Sequence, residues 1–130
     1  MKTALMFLIV SFLLISPGCG GSKSVIGTWE MISPAPDDPS ATPSVKIISD
    51  THFAFGTLGD KGKIFAGGGT YTYSDSTYTE FIQYHTINFL VGQRMAFKCL
   101  MEDDKWYHTG AFDINGRKFT VNEVWQRVKE

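Results

Sequence analysis

The chain has 130 residues and a formal net charge of −1, from 12 Lys and Arg against 13 Asp and Glu. That length holds one ordinary domain rather than two, and the absence of a basic run or patch excludes nucleic acid as a partner class. Aromatic residues make up 14% of the chain and fall in alternating runs, the distribution that β-structure favours.

Residues 1–18 read as a secretory signal peptide. Lys2 gives the positive start, Ala4 to Ile15 is an apolar run broken only by Ser11, and Ser16-Pro17-Gly18 supplies small residues before Cys19. The run is too short to span a bilayer. The stretch Leu14-Ile15-Ser16-Pro17-Gly18-Cys19 resembles a bacterial lipobox, with Ser16 where that motif prefers Leu. The resemblance implies cleavage before Cys19, lipidation of Cys19 and attachment to a membrane through that lipid. Gly20, rather than Asp, then implies the outer membrane or cell surface of a bacterial envelope. A plain secreted or periplasmic protein cut at the same bond is the alternative. Residues 19–24 read as a flexible tether, and without Lys2 the balance moves to 11 basic against 13 acidic residues.

Residues 25–130 are expected to form one β-domain. Residues 25–32 alternate, with Val25, Gly27, Trp29 and Met31 on one side, which is the period of a half-buried strand. Four prolines between Pro34 and Pro43 exclude helix or ladder strand there and predict a surface loop. Residues 45–55 read as one strand or two with a bend near Asp50. Residues 63–73 form the next strand, interrupted by Gly67-Gly68-Gly69, where a bulge or sharp bend is expected. A phosphate cradle would need a following helix, and Thr70-Tyr71-Thr72-Tyr73 is strand instead. Residues 77–85 are a strand, Asn88 to Gly92 a looser apolar connection, and residues 93–101 and 104–112 a hairpin across Glu102-Asp103. Asn115-Gly116 signals a type I′ turn into residues 118–128. Consecutive strands joined by short turns make an antiparallel up-and-down meander of seven to nine strands, and closing it into a β-barrel removes its edges.

Gly27-Thr28-Trp29 resembles the Gly-x-Trp triplet that opens the first strand of lipocalins. With Asp50 to Phe53, Gly67 to Thr72, Asp104 to His108 and Glu123 to Arg127, the mature chain is similar to small lipocalin-like (calycin-type) envelope proteins of Bacteroidetes-type bacteria, mostly of unknown function. The proline-rich loop suits the long first loop of lipocalins better than the helical lid of fatty-acid-binding proteins. The resemblance implies a barrel in which Arg127 packs over Trp29, beside Gly27, and ties the first strand to the last.

The candidate site follows from polar residues that interrupt the inward faces. Tyr78, Glu80, Ile82 and Tyr84 share one face; Trp106, His108, Gly110 and Phe112 another; Phe119, Val121, Glu123, Trp125 and Arg127 a third. Turned inward, Glu80, His108, Glu123 and Arg127 must be paired, because unpaired buried charge is costly. Arg127 with Glu123 or Glu80, and His108 with a carboxylate, is the expected network. Tyr71, Tyr84, Phe97, Trp106 and Trp125 would line a pocket for a small, largely apolar ligand, with Glu80, Glu123, His108 and Arg127 as polar anchors. A packed barrel serving as an interaction module, with an apolar patch at Phe89-Leu90-Val91, is the competing reading, and a barrel enzyme using Glu80 and Glu123 a third. No catalytic triad is identifiable, and no cofactor is implied. His52, His85 and His108 lie on different strands without metal-ligand spacing. Cys99 sits on the apolar side of its strand as a small buried hydrophobe; a Cys19–Cys99 disulfide would require that lipidation fail.

Overall fold

The structure, a computed structural model, describes residues 24–35, 37 and 42–129. The expected signal peptide over residues 1–18, Cys19 and the expected tether up to residue 23 lie outside the described residues. Eight strands follow in order: β1 Gly27–Ser33, β2 Val45–Ile48, β3 His52–Leu58, β4 Ile64–Ser74, β5 Thr77–His85, β6 Arg94–Glu102, β7 Lys105–Ile114 and β8 Arg117–Arg127. Each pairs antiparallel with the next, and β8 returns to β1, closing the barrel. The all-β, up-and-down expectation holds.

Local chemistry sets the turns. The stretch from 45 resolves into two strands because the Ser49 hydroxyl accepts the His52 N–H (3.1 Å) while the Ser49 N–H reaches the His52 carbonyl (2.9 Å); a short polar side chain competes here with the ladder. Asn115 and Gly116 both have positive φ (53° and 77°), as a type I′ turn requires. The β6–β7 turn lies one residue later than expected, at Asp103 and Asp104, which adopt the same doubly positive φ.

The glycine run decides which side chains enter the barrel. Gly68 pairs with Tyr84 and Gly69 with Ile82, so Gln83 is an extra residue on β5. A Cβ on Gly69 would collide with the Phe81 carbonyl oxygen and stand 2.9 Å from the Gln83 nitrogen. The bulge reverses the alternation of β5 beyond Ile82. Gly69→Ala is therefore expected to cost about 1–3 kcal/mol, whereas Gly56→Ala, with nothing within 4 Å, should change stability by under about 0.5 kcal/mol. Urea denaturation of the two variants checks this; equal losses would contradict it.

Four connections gather at one end of the barrel and the chain termini at the other. At the terminal end Trp29, fully buried, meets Trp106 edge to face (5.4 Å between centroids) and donates its indole N–H to the Val25 carbonyl (2.8 Å). Arg127 is the register partner of Trp29, and its guanidinium lies 4.2 Å from the indole centroid. Its two terminal nitrogens donate to the Ile26 and Ser24 carbonyls (2.7 and 2.6 Å). Gly27, at φ 142°, leaves that guanidinium its space: a Cβ there would stand 2.6 Å from Nη1. This end of the barrel is plugged by rings and by one arginine.

Candidate functional site

Above that plug the inward faces of all eight strands leave a cavity of about 350 Å³ that opens at the other end. Its floor is ionic. Lys46 Nζ and Glu80 Oε1 are 2.9 Å apart, with both side chains almost wholly buried. The same ammonium lies 5.0–5.6 Å from the ring centroids of Trp125, Trp106 and Tyr78, an aromatic cage that adds cation–π attraction to the ion pair. Lys46 reaches this place because Lys46 and Ile48 point inward from β2 while Ile47 points out.

His108 and Glu123 are register partners across β7 and β8 and stand beside the ion pair. Glu123 accepts the Trp125 indole N–H (2.9 Å). Burial pushes its carboxyl upward, against the pull of Lys46 and of that hydrogen bond. His108 is 1% exposed, stacked on Phe97 at 3.9 Å between centroids and set edge-on to Tyr78 and Trp106. Burial, with Lys46 adding to it, holds His108 well below the usual imidazole range, so the ring is neutral. Burial first and the Glu80 charge next push the Tyr78 phenol far up. His108 Nδ1 is buried with no hydrogen-bond partner among the described residues.

Above the floor the walls are apolar, with Ile82, Met95, Phe97, Phe119 and Val121. Phe89 and Leu90, in the 3₁₀ turn Asn88–Leu90, and His85 frame the mouth. Phe89 stacks on Phe119 at 5.9 Å, so the Phe89-Leu90-Val91 stretch is part of the rim rather than an exposed patch; Val91 alone of the three is classed as exposed. A second hollow of about 500 Å³ lies between the proline-rich loop and the Asp60–Gly62 turn. It has no buried charged side chain among the described residues.

The expected site residues divide as follows. Glu80, Phe97, His108, Glu123 and Trp125 border the cavity. Trp106, fully buried, lies in the cage under the floor, and Tyr71 sits toward the plugged end, donating to the Ser49 carbonyl (2.6 Å) and facing Tyr78. Tyr84 is corrected: the Gln83 bulge turns it outward, 56% exposed, and turns His85 in. The expected Arg127 pairing with Glu123 or Glu80 is also corrected. Arg127 is held at the plugged end by Trp29, by two backbone carbonyls and by Asp104 at 3.7 Å, and Lys46 is the partner of Glu80. Among the described residues His108 pairs with no carboxylate. Lys46 was missed because it stands in a four-residue strand with apolar residues on both faces; its one signal is that it lies two positions before Ile48.

Among the described residues no group of three or more His, Cys, Asp or Glu is placed to hold a metal ion. Cys99 is buried and its thiol is pushed up to about 11, mainly by burial, so it is no nucleophile. The neutral buried His108 carries a pH consequence. Unfolded, it takes a proton below about pH 6.5; folded, it resists. Its share of stability is thus complete above that pH and is lost as pH falls, at up to about 1.4 kcal/mol per pH unit. His108→Phe should flatten that acid limb in urea titrations at pH 5–7; an unchanged slope would contradict the neutral assignment.

Residues 24–130 match the family model described as a domain of unknown function, DUF4488, and the chain belongs to that family. Neither the curated proteins nor the solved structures contain a match.

Proposed function

We propose that this DUF4488 domain is a binding protein that holds a small, largely apolar molecule in its barrel. The observation that carries the reading is the open cavity of about 350 Å³ with apolar walls and a buried ionic floor. That volume falls in the range of small-molecule sites, about 300–1,000 Å³, and is more than a packed interior leaves empty. Glu80, Glu123 and His108 on the lining are polar groups that can orient a bound molecule. The Gly27–Trp29 and Arg127 closure supports grouping the barrel with lipocalin-like proteins. The leader and Cys19 support an address in the bacterial envelope with a lipid anchor, and mass measurement of the mature protein tests that part.

The binding reading is tested with N-phenyl-1-naphthylamine, a neutral apolar fluorophore. Its fluorescence should rise saturably at one molecule per chain, and Val121→Trp, which fills the cavity, should abolish the rise. No rise with the wild-type protein, or an equal rise with the filled variant, would overturn the reading.

A further inference from the structure

The charges bordering the cavity select among ligands. Among the described residues Lys46 is the only Lys or Arg side chain on its lining, and Glu80 already meets that charge at 2.9 Å. Glu123 is in no ion pair among the described residues. With both carboxylates ionised, the lining carries one excess negative charge. A fatty carboxylate would add a second in a site of low dielectric, where like charges repel strongly; an ammonium would cancel it.

Hydrogen bonding points the same way. An alkylammonium has three donors and no acceptor. Glu123 is an acceptor, and the neutral ring of His108 on the same lining carries one acceptor nitrogen as a second. As directly opposed residues on β7 and β8, the two have Cβ atoms roughly 4.5–5.5 Å apart, a gap that one ammonium spans. Phe97 and Trp125 lie on the same lining, and Phe119 and Val121 give an alkyl or aryl body its apolar wall.

We infer that the molecule held here is a small apolar amine, its ammonium seated between Glu123 and His108. The inference rests on the binding reading above and names the ligand class for that same cavity.

Calorimetric titration at about pH 8, above the usual carboxylate range, with octylamine, octanol and octanoate separates the cases, since these probes share one body and differ in head group. Octylamine should bind about ten-fold tighter than octanol, the effect of one charge-assisted hydrogen bond, and octanoate weakest of the three. Glu123→Gln should remove the preference for the amine over octanol. Octanoate binding as tightly as octylamine would overturn the inference. So would octanol matching octylamine, and in that case the apolar pocket itself would stand. Failure of all three probes would overturn the binding reading along with it. The wild-type comparison decides the matter even if the Glu123 variant does not fold.

Discussion

Lys46→Met should destabilise the barrel by about 3–5 kcal/mol, because it leaves Glu80 buried without its counterion. Lys46 and Glu80 are nearly inaccessible and only 2.9 Å apart, so solvent cannot take over when one partner goes. For a domain of this size the loss corresponds to a fall in Tm of roughly 12 °C or more. Removing both charges is a different matter. Lys46→Met/Glu80→Leu restores an apolar interior of similar volume and should lie within about 1 kcal/mol of wild type. Urea denaturation of the two single variants and the double variant measures the coupling directly. A single-variant loss under about 1 kcal/mol would mean that water reaches the pair and that the floor is not dry.

Trp29→Ala should cost about 3–5 kcal/mol. The indole is wholly buried, donates to the Val25 carbonyl, and packs against Trp106 on one side and the Arg127 guanidinium on the other. Its loss opens the plugged end where the first and last strands meet. Against a typical total of about 5–15 kcal/mol, that is enough to leave much of the protein unfolded on warming. The part owed to the cation–π contact is measured separately. A double-mutant cycle of Trp29→Leu with Arg127→Leu should give a coupling of about 0.5–2 kcal/mol. Zero coupling would place the worth of Arg127 in its bonds to Ser24 and Ile26 and its ion pair with Asp104.

The two variants probe opposite parts of one design. Trp29 holds the barrel closed with apolar area and a single cation at the chain ends. Lys46 and Glu80 hold a charge pair inside it at some cost in desolvation. An ion pair retained in such a place fits the binding reading, since apolar residues of the same size would pack as well and orient nothing.

Strand alternation, the proline-rich loop and the Asn115-Gly116 turn determine an antiparallel meander of seven to nine strands from sequence alone, because each is a local preference of backbone and side chain; the structure makes it eight. Trp29 and Arg127 as the closure were legible as well, through the Gly-x-Trp resemblance. Glu80, His108, Glu123 and Trp125 could be placed on inward faces by counting in twos. What the count could not supply is where it breaks. The bulge at Gly69 reverses β5 after Ile82, so Tyr84 faces out and His85 in, and its cause is a close approach to the Phe81 carbonyl from a neighbouring strand. Nor could the count supply partners: Glu80 meets Lys46, 34 residues away, rather than Arg127. Sequence determined the strands and their faces because those depend on neighbours along the chain. Only the closed barrel decided the ion pair, the cage of rings and the cavity, because the distances that make them run across strands.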